Sequence, residues 1–174
     1  MKLILMMATT VDGIIAKTKD QKADWTTPAD KKAFIAETKK HGVIIMGDTT
    51  FDTIGKPLPG RLNLILSFTP EKYKEREIPG TLEFVKMPPG DVVKMLESRN
   101  FSSAILGGGA RTNAAFLKAG LVDEILITIE PKLFGVGINF TEGEDLDLNL
   151  ELIESKEIGD NAVQLKYKVK PPPA

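Results

Sequence analysis

The 174-residue sequence has no cysteine. That excludes disulfides, thiolate metal sites and cysteine nucleophiles, and it makes the cytoplasm the natural compartment. Histidine occurs once, as His41 in "KKHG". One imidazole and no thiolate are a poor ligand set for a transition metal, so no metal site is expected. His41 reads as structural: it ends a helical pattern, where positive charge suits the dipole and Gly42 stops the helix. Long hydrophobic runs are missing as well. No stretch reaches the roughly 18 apolar residues of a spanning helix, and "LILMMA" near the start is too short for a signal-peptide core. Neither sign of charge is in excess, with 23 basic and 24 acidic residues and a net charge of −1. No field draws the chain to nucleic acid or to an anionic membrane. The nucleophile elbow of serine hydrolases is absent too.

What remains is an ordinary globular composition, 42% apolar and 27% charged, at a length that suits one domain with a full core. Short apolar runs recur: "LILMMA" (3–8), "VIIMG" (43–47), "LNLILS" (62–67), "TLEFV" (81–85), "SAILGG" (103–108) and "EILITIE" (124–130). They are continuous rather than alternating, as in strands buried on both faces. Helical patterns fall between most of them, over 28–41, 49–54, 91–99 and 111–119. This order predicts an α/β domain with a central, mainly parallel sheet flanked by helices. "LELIES" (150–155) and "AVQLKYKVK" (162–170) alternate strictly and are separated by "KEIGDN", which predicts a C-terminal antiparallel hairpin on the sheet edge. One domain over 1–170 is expected, followed by a loose Pro-rich tail at 171–174. "EKYKERE" (71–77) reads as a solvated helix or loop, and the Lys- and Asp-rich stretch at 17–24 as a mobile loop.

The stretch "WTTPADKKAF" (25–34) starts the first helix. Thr27 suits the N-cap, Pro28 the first helical position and Asp30 the acidic third position of a capping-box-like start. Asp30 can be a capping residue and nothing more. A second reading starts from direction. Asp30 shares a helix face with Ala33 and Phe34, whereas the lysines at 31, 32, 39 and 40 lie elsewhere. A carboxylate aimed into an apolar cleft needs a partner. Desolvation raises its pKa, which suits a proton donor or a clamp for a cationic heterocycle. The two readings are compatible, because a side chain at that position can still face a pocket.

"VIIMGDTTFDTIGKPLPGRLNLILS" (43–67) reads as a buried strand, a glycine turn, a short helix capped by Asp48 or Thr49, a stop at Gly55, a Pro-rich loop and another strand. A helix that begins at a strand's C-terminal end presents free N–H groups, a ready anion site. "GGGA" (107–110), between a buried strand and a helix start, is a second such place, since only glycine lets backbone approach a pyrophosphate. It is not the Rossmann fingerprint.

The pattern M-G-x-x-T-(W/F)-x-x-I-G-(K/R)-P-L-P-G-R-x-N-x-x-L-S closely resembles dihydrofolate reductase. "MMATTVDGIIA" (6–16) resembles that family's first strand and glycine loop, "WTTPADKKAF" its W-x-x-P-x-(D/E)-x-x-x-F, and "ILGGGA" (105–110) its glycine-rich cofactor turn. "VDG" (11–13) is also found in the reductase domain of riboflavin biosynthesis, a cousin of the same fold, and "GGGARTNAAFLKAGLVDEILITIEPKLFGVG" (107–137) is more similar to it.

The resemblance implies a dihydrofolate reductase-like fold and an NADPH-dependent reductase, with NADH possible. Hydride would pass to the C=N bond of dihydrofolate and a proton to the adjacent nitrogen. It assigns Asp30 as the catalytic carboxylate, Thr128 as the residue that orients it and Trp25 as the site tryptophan. Met6, Ala8, Phe34 and Ile54 would wall the substrate, with Phe34 stacked on the pterin, and Arg61 would grip a substrate carboxylate as a bidentate fork. The cofactor groove would comprise Ala8, Ile15, Gly47, Asp48, Thr49, Thr50, Ser67, Leu106, Gly107, Gly108, Gly109, Ala110 and Arg111. Asp48 departs from the family, which usually carries a basic residue there, near the adenosine 2′-phosphate. Its charge would repel that phosphate. Arg111, displaced by an extra residue in the helix after the triple glycine, is the candidate that compensates. Asp24 replaces the usual proline before the tryptophan. Two alternatives stand beside this reading: a ribosylamino-pyrimidine phosphate reductase of riboflavin synthesis, and a non-catalytic pterin- or nucleotide-binding relative, against which Asp30 with Thr128 argues. The expected partner is a small pterin or pyrimidine, with no nucleic acid and no membrane, in a monomer or homodimer.

Overall fold

Period-two alternation inside each apolar run sends neighbouring residues to opposite faces of one sheet. The computed structural model describes residues 1–170; the tail at 171–174 lies outside the described residues. The strands are β1 (Lys2–Thr10), β2 (Ile14–Ala16), β3 (Val43–Gly47), β4 (Leu62–Leu66), β5 (Leu82–Val85), β6 (Ser103–Leu106), β7 (Glu124–Glu130), β8 (Ile138–Asn139), β9 (Leu150–Gly159) and β10 (Ala162–Val169). The α-helices are α1 (Pro28–His41), α2 (Asp48–Ile54), α3 (Pro89–Ser98) and α4 (Ala110–Lys118). The main sheet runs β5-β4-β3-β6-β1-β7-β10-β9. Every neighbouring pair from β5 to β7 is parallel. β10 is antiparallel to both β7 and β9. This is the expected α/β fold with a mainly parallel sheet and an antiparallel C-terminal hairpin.

Two apolar layers sandwich the sheet. Leu3, Leu5, Val43, Ile45, Leu64 and Leu106 pack with Val92 and Leu96 of α3 and Phe116 of α4. Ile4, Met6, Ile44, Met46, Ile65, Ile105 and Leu126 pack on the other face with Phe51 of α2 and Phe34 of α1. Both faces are covered, which is why the runs are continuous. Each fully buried Leu or Ile contributes about 1.5–3 kcal/mol of transfer free energy.

The structure revises two expectations and adds detail at two further places. The hairpin turn is not the six residues "KEIGDN": β9 continues to Gly159, and Asp160 and Asn161 alone make the turn, at φ 54° and 61°. Both are left-handed, as a two-residue type I′ hairpin requires. β9 is an edge strand exposed along most of its length, so its outer part is free of the alternation that would have marked it. β2 and β8 form a small antiparallel ribbon too short to leave a pattern. Pro70–Arg76 is a 3₁₀ turn whose Tyr73 stacks on Phe84 at 4.5 Å. His41 is structural, but not as a cation on a helix dipole. Burial holds its imidazole below the ordinary value, and Nδ1 lies 2.7 Å from Ser103 Oγ, tying α1 to β6.

All six parallel strands end along one edge. β3 leads directly into α2, and β6 into α4 after a glycine turn. Crevices outside the carboxyl ends of such strands are where open α/β sheets take ligands.

Candidate active site

The C-terminal edge opens into a cleft of about 1290 Å³. That exceeds the roughly 300–1,000 Å³ of a single-ligand pocket, so it has room for a cofactor and a substrate together. Met6 and Ala8 of β1, Ile15 of β2, Trp25 just before α1, Asp30 and Phe34 of α1, and Ile54 of α2 line it. So do Gly47, Asp48, Thr49, Thr50 and Ser67, and after β6 Gly107, Gly109, Ala110 and Arg111. Four of the anticipated residues lie outside the lining: Thr128, Arg61, Leu106 and Gly108. Leu106 packs in the core. Gly108 abuts Met7, whose Sδ would lie 2.8 Å from a Cβ built there, and its carbonyl accepts the Gly47 N–H at 2.8 Å.

Asp30 is not tied up as a cap. Thr27 is the N-cap, its Oγ1 accepting the Asp30 N–H at 3.2 Å, with Pro28 in the first position. In a capping box the third-position carboxylate would return to the N-cap N–H. Here Glu130, at the end of β7, accepts that N–H at 3.0 Å and the Thr27 hydroxyl at 3.2 Å. Asp160, in the hairpin turn, accepts the Ala29 N–H at 3.0 Å. Asp30 therefore turns to the cleft while remaining only 7% exposed. Burial pushes its carboxyl above the ordinary value, while the neighbouring Thr128 and Thr26 hydroxyls and the Lys31 charge favour the ionised form. Thr128 is itself held: Gln164 of β10, its register partner, donates to Thr128 Oγ1 at 3.4 Å, which leaves the Thr128 proton for Asp30. Trp25 meets Phe134 edge-on at 5.2 Å.

Glu130, Gln164, Thr26 and Asp160 are the parts that sequence reasoning missed. A signal existed for Glu130, because period two places it on the same side of β7 as Thr128 and it is an acid closing an apolar run. Gln164 and Asp160 depend on hairpin register, which the sequence left open.

The helix starts of α2 and α4 face the same cleft, since β3 and β6 are neighbours. Their glycines are fitted closely. A Cβ on Gly47 would lie 2.8 Å from Thr112 Oγ1, and one on Gly109 would lie 3.0 Å from Thr50 Oγ1. Gly108 has φ +95°, and the Gly108–Gly109 peptide is cis. The Gly47, Gly107 and Thr49 N–H groups are bonded within the protein; the other N–H groups at the two helix starts, bare of side chains at Gly108 and Gly109, suit a pyrophosphate. Asp48 is fixed beside it, accepting Ser67 Oγ and the Thr49 N–H, each at 2.7 Å. Arg111 is engaged elsewhere: its largely exposed side chain donates from Nε to Glu142 Oε2 at 2.7 Å.

Arg61 is only 6% exposed. Nε and Nη2 donate to the Pro59 carbonyl at 3.1 and 2.9 Å, and Nη1 donates to Thr38 Oγ1. No carboxylate pairs with it among the described residues, so it is not one half of a surface ion pair. Of its five N–H groups, one on each terminal nitrogen is left without a partner in these contacts.

Comparison with known proteins agrees with this geometry. The model of the RibD C-terminal domain matches residues 63–164, which contain the whole of the riboflavin-type segment at 107–137. Dihydrofolate reductase of Haemophilus influenzae is 43% identical over 67 residues, 38% of this chain and 40% of that protein. RibD of Acinetobacter baumannii has the same fold, with a TM-score of 0.81 at 18% identity over 98% of this chain and 58% of that one. So has dihydrofolate reductase from Enterococcus faecalis complexed with NADP(H), with a TM-score of 0.74 at 21% identity over 98% of this chain and 97% of that one. With more than half of its length matched, and with that sheet and cleft, the protein belongs to the RibD C-terminal domain family and shares the fold of dihydrofolate reductase.

Proposed function

We propose that the protein is a reductase that uses a reduced nicotinamide to saturate a C=N bond of a small heterocycle, dihydrofolate or a pterin like it. One observation carries the reading: Asp30 sits at a helix start whose capping is done by others, and its buried carboxyl faces an apolar cleft with Thr128 behind it. When bound, the nicotinamide supplies the hydride. The backbone N–H groups of Thr50 and of Gly108 to Ala110 would hold the pyrophosphate at the two helix starts, with Gly47 and Gly107 leaving room for it. Phe34, Met6 and Ile54 press the flat rings together and exclude water. Asp30 clamps the amino-pyrimidine edge and holds a proton there, with its orientation set by Thr128. Arg61 offers its two remaining N–H groups to a substrate carboxylate.

The cofactor reading is NADPH with NADH also accepted. Asp48, held by Ser67, offers carboxylate acceptors to a ribose diol, and its charge opposes a 2′-phosphate. Arg111, held by Glu142, does not offset it.

A second reading is favoured by the family match itself: reduction of a ribosylamino-pyrimidine phosphate. The test is oxidation of NADPH and of NADH with dihydrofolate and with that pyrimidine as acceptors. Dihydrofolate is expected to be the faster, and Asp30→Asn to lower its turnover by about 10²–10⁴-fold with the fold retained. Faster reduction of the pyrimidine moves the assignment to the second reading. Tight ligand binding without oxidation in any combination makes the protein a binder.

A further inference from the structure

Glu130 is fully buried, at 0% exposure. Its Oε1 accepts both the backbone N–H and the hydroxyl of Thr27. Its Oε2 has no hydrogen-bond partner among the described residues. Capping alone does not call for this residue. One oxygen suffices for the Thr27 donors, and the second is left buried and idle, a costly arrangement for a carboxyl unless it is paired. A buried acid with an idle oxygen beside a second acid points to a use for its charge.

The use lies one residue group away. Thr27 bridges the two acids: Glu130 receives its N–H and O–H, while its Oγ1 receives the Asp30 N–H. We propose that Glu130 is the positioning residue for Asp30, holding the helix start so that Asp30 stays turned to the cleft and setting, through its charge, how tightly Asp30 keeps its proton. This rests on reading Asp30 as the acid of a reductase site. Lys31 acts on Asp30 from α1 and Lys132 on Glu130 from the chain just past β7; Asp160 reaches the helix start from the turn between β9 and β10, and Asp12 lies after β1, whose Thr10 is the register partner of Glu130. Asp12 is bound by the Thr10 hydroxyl and the Gly135 N–H, and Asp160 by the Ala29 N–H. Neither lysine forms an ion pair with Glu130 or Asp30 among the described residues. Burial, and then the Asp30 charge, hold the Glu130 carboxyl above its ordinary value. The Asp30 charge is thus felt at Glu130, and by reciprocity a Glu130 charge acts on Asp30.

The experiment is a carbon-13 titration of the Asp30 side-chain carboxyl in the ligand-free full chain, wild type against Glu130→Gln. Glutamine keeps the acceptor for Thr27 and removes the charge. The Asp30 midpoint is expected to fall by about one pH unit, and the alkaline fall of kcat to move down with it, while KM changes little. An unchanged midpoint overturns the proposal. Glu130→Leu, which removes the acceptor as well, is expected to lose more turnover than Glu130→Gln; equal losses overturn the holding role. The titration needs no turnover. A wild type inactive with every acceptor therefore sinks the reductase reading, while the midpoint shift still decides the coupling.

Discussion

Arg61 shows how far a single side chain can be read in advance. "GKPLPGR" stiffens the loop with prolines, and an arginine held rather than waving follows from it. Its burial does not, because that depends on Thr38, far along α1, coming within reach of the guanidinium. A buried cation with no acid beside it suits the proposed role of holding a substrate carboxylate. Arg61→Ala is expected to raise KM for dihydrofolate about tenfold or more, the loss of a charge-assisted contact of about 1.5–3 kcal/mol. A pterin without the glutamate tail should be affected far less, and steady-state kinetics with both substrates compare them. Equal losses would assign Arg61 to bracing the Pro59 carbonyl. Asp30 was readable in the same partial way: its position on α1 and its direction were visible, but the rivals for its capping duty come from strands 100 or more residues later.

Elements were legible where burial dictates pattern. The bounds of β3, β7 and α1 follow directly from their apolar runs and caps. The edge strand β9 was cut short because solvent on both sides removes the pattern. How elements approach one another was legible only through glycine. At Gly47 the end of β3 comes so near α4 that a Cβ would sit 2.8 Å from Thr112 Oγ1. Gly47→Ala must therefore push α4 away or displace that hydroxyl, an overpacking that typically costs about 1–3 kcal/mol. The expected result is a lower melting temperature by about 2–4 °C per kcal/mol together with weaker nicotinamide binding, measured by thermal melts and fluorescence titration. Adding Thr112→Ala should restore both. Failure of that rescue would show that the close approach is not the cause.

At the scale of the whole molecule, the sheet order could not be read from the chain. Strand–helix alternation announces a parallel sheet, yet nothing local says that β6 inserts between β3 and β1. That insertion is what brings the two helix starts into one cleft. Stability is likewise a global readout of the site. Burial raises the folded-state pKa of both Asp30 and Glu130, so the native state holds their protons more tightly than the unfolded chain does. Their contribution is fully present below the unfolded values, near about pH 4, and is lost as pH rises through the folded values. At neutral pH the burial of Asp30 thus opposes folding. Asp30→Asn is expected to melt higher than wild type at pH 7 to 8, with the gap closing towards about pH 4. Melting curves across that range check the sign; a variant that melts lower at every pH would contradict it.

The turn at Asp160 and the glutamine just beyond it reach back to residues near position 30 and to Thr128, the first across 131 residues of sequence. Synthesis delivers the chain in order, at about 5–20 residues per second. The acid therefore leaves the ribosome long before the groups that orient it, and a chain stopped short of Asp160 has every strand from β1 to β8 but no finished acid. On the proposed reading of Asp30, the last described hairpin is in this sense a timer: the site stays incomplete until residue 164 has been made.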